Sequence, residues 1–239
     1  MTIPHRPLRP IRSFMRREGK GMIARASTIK ALWPRYGLSE NREEGLIDPR
    51  AIFGRVAPLI VEIGFGGGES LLQMASLAPD KDFIGIEVYR TGLSQLITQA
   101  DQAGLQNLRV FCGDAREILQ TRIMDASLDT VQIFFPDPWP KRKHYKRRLI
   151  SADFIKLIAL KLKPGGRLHL ATDWADYAAW MLNVLSEDPH FENTAGAGCY
   201  VPRPMDRPFS KYERRGVGLG HQTWDLIFKR LYNESLNGS

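Results

Sequence analysis

The residues best equipped for chemistry stand together in FFPDPWP, 134–140. Asp137 lies between Pro136 and Pro138, which fix the backbone and withhold two amide donors, and Trp139 follows with a flat apolar face. A carboxylate held rigid beside an aromatic ring can hydrogen-bond a nucleobase drawn out of its stack. Taken alone, Pro-Asp-Pro reads as well as a stiffened loop with a solvated acid. That account fails to explain KRKHYKRR, 141–148, where six Lys and Arg and no acid follow directly.

A second constellation begins in VEIGFGGGES, 61–70. Gly64, Gly66 and Gly68 fall where a strand turns sharply into a helix, a place that favours positive φ and close ligand approach. The dinucleotide fingerprint G-x-G-x-x-G would need its third glycine at position 69, which is Glu69. Glu62 ends the strand before the turn, a poor neighbour for a pyrophosphate and a good one for an ammonium. Glu87, nineteen residues after Gly68, ends the next strand in GIEV, where a carboxylate can accept from ribose hydroxyls. Asp114 closes a third strand in CGDA. Three acids at one sheet edge suit a cationic nucleoside without phosphate. S-adenosylmethionine fits, with its ammonium and sulfonium near Glu62, its ribose on Glu87 and its adenine amino group on Asp114.

The elements that must position these residues alternate. Strands are expected at Leu59–Ile63, Asp82–Ile86, Leu108–Cys112, Thr130–Phe135 and Arg167–Ala171, with a final one at Thr223–Leu231 burying Ile227 and Phe228. Helices are expected at Glu69–Leu77, Arg90–Ala103, Arg116–Gln120, Ala152–Leu162 and Asp173–Leu185, the fourth stopped by Pro164-Gly165-Gly166. Such alternation implies a doubly wound α/β domain with a mostly parallel sheet. Residues 1–50 read as a basic N-terminal arm, broken by Pro4, Pro7 and Pro10, and 51–239 as the catalytic domain.

At 239 residues and 43% hydrophobic the chain can bury one sizeable core. No apolar run approaches the roughly 20 residues of a membrane span, and no apolar region follows Met1, so neither membrane insertion nor secretion is expected. Cys112 and Cys199 form no CxxC, which points to a reducing cytoplasm. His144, His169 and His221 share no ligand spacing, so no metal is expected. The net charge of +8 is concentrated: residues 1–36 carry nine basic residues and one acid, 141–148 carry six and none, and 203–215 carry five and two. One charge run is an ordinary solvated face. Three on one chain favour a polyanion, here RNA.

With these segments in view, the chain resembles the bacterial tRNA (guanine-N7)-methyltransferase family, which uses S-adenosylmethionine to modify guanine 46 in the variable loop of tRNA. The resemblance runs through RSFMRREGK (12–20), VEIGFGGG (61–68), FIGIEV (83–88), NLRVFCGDA (107–115), FFPDPWPKRKHYKRR (134–148), HLATDW (169–174) and RPFSKYERRGVGLGH (207–221). Two segments depart from the family pattern: Ser210-Lys211-Tyr212-Glu213 replaces Thr-[Arg/Lys]-Phe-Glu, and Pro140 stands where His is common. The resemblance implies a class I, Rossmann-like sheet of seven strands. It implies that Glu62, Gly64, Gly66, Glu87, Asp114 and Asp137 hold the cofactor, with Asp137 also catalytic. It places Lys141, Asp173, Ser210, Lys211, Tyr212 and Glu213 against substrate, and Lys143, His144, Tyr145, Lys146, Arg147 and Arg148 on RNA. It leaves a monomer and a homodimer both open.

Three other readings compete on the residues alone. An N-methyltransferase acting on an exocyclic amine could use the same proline-aromatic loop. A nicotinamide-linked dehydrogenase would need the glycine pattern that Glu69 breaks. A non-enzymatic RNA-binding module accounts for the basic runs and leaves the three strand-end acids unexplained.

Overall fold

The computed structural model describes residues 22–209, Glu213 and 222–232. The expectations for Ser210, Lys211, Tyr212 and His221, and for residues 1–21 of the arm, concern residues outside these. Among the described residues a single sheet holds eight strands: β1 Gly37–Leu38, β2 Leu59–Ile63, β3 Asp82–Glu87, β4 Leu108–Cys112, β5 Leu128–Phe134, β6 Leu162–Thr172, β7 Phe191–Asn193 and β8 Trp224–Arg230. Their order is β1-β4-β3-β2-β5-β6-β8-β7. All neighbours are parallel except β8, which runs antiparallel to both β6 and β7.

β2 and β3 are buried at every position, as expected of strands covered on both faces. On one face lie α1 (Met22–Tyr36), α3 (Glu69–Leu77) and α4 (Arg90–Gln102), around Leu71, Leu93, Leu96 and Ile97. On the other lie α5 (Ala115–Thr121), α6 (Ala152–Lys161) and α7 (Ala175–Ser186), around Ile118, Phe154, Ile158 and Met181. Burying each such side chain stabilises the fold by about 1.5–3 kcal/mol. A short α2 (Pro49–Phe53) precedes β2.

The chain steps outward from β2 to β3 to β4, then returns to place β5 on the other side of β2. That reversal opens a crevice at the carboxyl ends of β2 and β5, where ligands of doubly wound sheets bind.

Three expectations need correction. The sheet has eight strands and not seven, because Gly37–Leu38 adds a parallel edge strand to β4 through Gly37↔Val110 and Leu38↔Phe111. β5 starts earlier and ends at Phe134, since Phe135 takes φ 52° and leaves the pleat. Pro164-Gly165-Gly166 lies inside β6: α6 has already ended at Lys161, and the residue before a proline is pushed toward extended backbone. Leu162 pairs with Leu128, and an irregularity absorbs the glycines before Arg167 pairs with Thr130. Residues 142–147 form a separate 3-10 helix.

Candidate active site

Strand β2 delivers Glu62 and then the glycine turn. Gly64 and Gly66 have φ of 75° and 58°, which side chains rarely adopt. The turn is pressed from behind by α4: a Cβ on Gly92 would stand 1.6 Å from the Gly66 carbonyl oxygen. Glu87, at the end of β3, ties the same turn down. Its Oε2 accepts from the Gly66 amide at 2.8 Å, and its Oε1 accepts from Val88 and Tyr89 amides at 2.7 and 2.9 Å. Burial pushes the Glu87 carboxyl up, the three amides pull against that, and Asp137 adds to the rise. Oε1 is already doubly bonded, so Oε2 keeps the lone pair that a ribose hydroxyl can use.

Asp114 sits at the end of β4, half-buried, and its Oδ1 caps α5 by accepting from the Arg116 amide at 2.9 Å. Its neighbours Gly113 and Ala115 line the larger of the two cavities at the glycine turn, and Asp114 itself does not. Asp137 is exposed on the loop after β5, between two residues in the left-handed region, Phe135 at φ 52° and Trp139 at φ 43°. Two such residues so close mark a loop whose surroundings over-determine its shape.

Two cavities meet at the glycine turn. One, of about 600 Å³, is lined by Glu87, Tyr89, Gly113, Asp137 and Trp139 among others. The other, of about 430 Å³, is lined by Glu62, Gly66, Gln95 and Arg207 among others. Gly64, Tyr89, Phe134 and Phe135 line both. The structure therefore puts Glu87 and Asp137 in one cavity and Glu62 in its neighbour.

Glu62 is 2% exposed, and its Oε2 has no hydrogen-bond partner. Burial, with a smaller push from Glu87, raises its carboxyl to about 8. Gln132 occupies the paired position on β5 and also carries a buried oxygen without a partner. A buried carboxyl without a partner that lines the cavity at the glycine turn fits a cationic donor such as an ammonium, which would draw off its proton. The positive-φ glycines, open where a Cβ would stand, leave room for it at Gly64 and Gly66. The residues present therefore fit S-adenosylmethionine.

Arg207 was not singled out by its sequence position, because only the fold brings Glu213 and Asp225 together around it. It is 1% exposed and pairs bidentately with Glu213, Nη1 to Oε2 at 2.8 Å and Nη2 to Oε1 at 2.6 Å. It also meets Asp225 on β8 at 2.7–2.9 Å, and Asp225 in turn is 2.8 Å from His169 Nε2. Glu213, expected against substrate, is thus itself buried against an arginine. Removing one partner of such a buried ion pair commonly costs about 3–5 kcal/mol. Gln132 and Tyr89 were likewise missed; a glutamine inside the apolar run VQIFF was the only signal for the first.

The basic segment divides. Lys141, Lys143 and Lys146 are exposed. His144 packs edge-on to Trp139 at 5.7 Å, and desolvation followed by the surrounding lysines and Arg147 holds it below its ordinary value. The Arg147 guanidinium stacks on Trp139 at 3.8 Å. Tyr145 packs edge-on to Trp180. Arg148, expected on RNA, is turned inward, with its side chain 1% exposed. Asp173 is exposed just after β6, whose parallel neighbour β5 leads into the Asp137 loop.

A family model described as "Putative methyltransferase" matches residues 56–226. The chain is 50% identical over 221 residues to a tRNA (guanine-N(7)-)-methyltransferase of Halorhodospira halophila, covering 92% of this chain and 95% of that protein. It is 49% identical over 231 residues to one of Idiomarina loihiensis, covering 97% and 94%. Among solved structures, the 16S rRNA methyltransferase KamB superposes with a TM-score of 0.58 at 12% identity, over 78% of this chain and 95% of that one. The antibiotic-resistance methyltransferase Kmr gives a TM-score of 0.55 at 13% identity, over 82% and 96%. At such identities these two speak for the fold.

Proposed function

We infer that this chain, which belongs to the tRNA (guanine-N(7)-)-methyltransferase family, transfers a methyl group from S-adenosylmethionine to N7 of guanine 46 in the variable loop of tRNA. The observation that carries the reading is the cavity shared by Glu87 and Asp137, since it brings a ribose acceptor and a second carboxylate to the crevice between β2 and β5.

Glu62 would hold the ammonium of the cofactor. Glu87 Oε2 would hold the ribose, Asp114 Oδ2 the adenine amino group, and the backbone at Gly64 and Gly66 would allow close approach. The cofactor supplies an electrophilic methyl group on a sulfonium.

What remains for the protein is to place guanine and manage charge. N7 of guanine carries a lone pair and no proton, so no base is needed to expose the nucleophile. The methylated ring is cationic, and the Asp137 carboxylate offsets that charge as it develops. The same carboxylate can orient the ring by accepting from its N–H and amino edge. Asp173, leaving the adjacent strand end, can share that hold. The rigid loop keeps the base at attack distance, which lowers the barrier by removing orientational freedom. Lys143 and Lys146 face solvent beside the loop and would take tRNA phosphates. Lys141 and the Ser210–Glu213 segment would border the bound nucleotide. No described helix is long and apolar enough to cross a membrane, and a tRNA substrate puts the work in the cytoplasm.

Mass-spectrometric mapping of bulk tRNA treated with purified protein and S-adenosylmethionine tests the reading. The expected product is 7-methylguanosine at position 46, lost when that guanine is replaced. Methylation of an exocyclic amine, or at another position only, would overturn it.

A further inference from the structure

Arg148 closes the basic run, and its charge alone would send it to a phosphate. Its surroundings assign it other work. The side chain is 1% exposed and lies over three aromatic rings: Tyr145 at 3.8 Å, Tyr177 at 4.9 Å and Trp180 at 5.1 Å. Nη2 is ion-paired with Asp176 in the first turn of α7. Nε donates to the Pro138 carbonyl at 3.0 Å. That carbonyl belongs to the peptide joining Pro138 to Trp139, the residue held at φ 43°.

One guanidinium therefore touches three parts of the molecule at once. It grips the loop that carries Asp137, the 3-10 helix that carries Lys143 and Lys146, and the helix α7 beneath both. Tyr145 strengthens the joint through its hydroxyl, 3.3 Å from Asp176 Oδ2. The Ile150 backbone completes it, its amide 3.3 Å from the Tyr177 hydroxyl and its carbonyl accepting from the Trp180 indole at 2.7 Å. A left-handed residue such as Trp139 persists only when its neighbours over-determine it, and the Nε bond is one of those constraints.

We propose that Arg148 is a positioning residue for methyl transfer: it fixes the Asp137 loop and the basic 3-10 helix to α7 as one rigid piece, and it does not contact RNA. This rests on the methyl-transfer reading above. A lysine cannot replace it, because an ammonium cannot reach Asp176 and the Pro138 carbonyl in one plane while stacking on Tyr145.

Arg148→Lys and Asp176→Asn test the proposal, the second leaving the buried cation and its packing in place. Both are expected to keep cofactor affinity, tRNA affinity and the salt slope of tRNA binding, while kcat falls at least tenfold for Arg148→Lys and less for Asp176→Asn. Hydrogen exchange across 136–147 should quicken in both variants, a readout that does not depend on turnover. A phosphate ligand would behave otherwise: Arg148→Lys would spare kcat, and Arg148→Ala would lower tRNA affinity and flatten the salt slope by about 0.7–0.9. That pattern, or unchanged exchange in the loop, would overturn the proposal. Wild-type protein that methylates no tRNA would overturn the functional reading instead, and the exchange measurement would still decide whether Arg148 anchors the loop.

Discussion

Glu62 on β2 and Gln132 on β5 occupy directly paired positions, and each holds a buried oxygen with no hydrogen-bond donor. A buried polar oxygen left without a partner costs about 1–3 kcal/mol. Only Glu62 lines the cavity beside the glycine turn, so a ligand ammonium held there, as proposed, would relieve that cost at Glu62.

The pH dependence follows from that arrangement. Burial pushes the Glu62 carboxyl from 4.5 up to about 8, so the folded free protein keeps a proton that the unfolded chain gives up. Stability from this group is present below about 4.5 and is lost as pH rises toward 8. Glu62→Gln should therefore match the wild-type stability near pH 4.5 and exceed it at pH 8, while binding cofactor poorly at both. Cofactor binding at neutral pH should release close to one proton, seen by calorimetry in buffers of different ionisation enthalpy. Binding without proton release would remove the ammonium from Glu62.

Glu87 joins ligand binding to the shape of the turn. Its carboxylate accepts from Gly66, Val88 and Tyr89 amides, so Glu87→Ala releases three donors as well as a ribose partner. Cofactor affinity should fall by about 1.5–3 kcal/mol. Glu87→Gln should also weaken binding, since its amide would turn a donor toward either the Gly66 amide or those of Val88 and Tyr89. Affinity for tRNA should hold in both. Cofactor titration showing wild-type affinity would disconnect Glu87 from the ribose.

How far the sequence reached can be judged at these same residues. The strand-end positions of Glu62, Glu87 and Asp114 were legible because each stands at or next to the end of a short apolar run, and the end of a parallel strand is where this fold binds ligands. What they touch was not. Nothing in local spacing shows Glu87 holding Gly66, Asp114 capping α5, or Glu62 facing a different cavity from Asp137. Arg148 and Arg207 mark the same limit: a charged residue in a basic stretch looks solvated until the fold brings Asp176, or Glu213 and Asp225, against it. The edge strand β1 escaped notice because two residues, Gly37 and Leu38, make no pattern. The long β6 was shortened in the reading because its proline and glycines resemble a helix stop.

Asp137→Asn separates charge from shape. The amide is nearly isosteric and the flanking prolines keep the loop, so folding and cofactor affinity should survive. The cationic product loses its counter-charge, and turnover should fall roughly a hundredfold or more. Single-turnover kinetics with saturating tRNA would read the chemical step directly. A variant that turns over at the wild-type rate would leave Asp137 with a positioning role alone.

The exposed lysines test the RNA face without disturbing the cavity. Arg147 is unsuited to this, since its guanidinium lies on Trp139 and its loss would alter the cavity wall. Lys143 and Lys146 are both exposed on the 3-10 helix, whose first-turn and last-turn positions include no acid. Each phosphate contact releases counterions and contributes about 0.7–0.9 to the slope of log affinity against log salt. Lys143→Ala with Lys146→Ala should lower that slope by roughly two such contacts, and weaken binding to all tRNAs by a similar factor, because phosphates carry no sequence. Cofactor affinity should stay at the wild-type value, since neither lysine lines either cavity. An unchanged slope would mean that the phosphates are held elsewhere on the chain, and Arg12, Arg16 and Arg17 in the basic N-terminal segment would be the next residues to substitute.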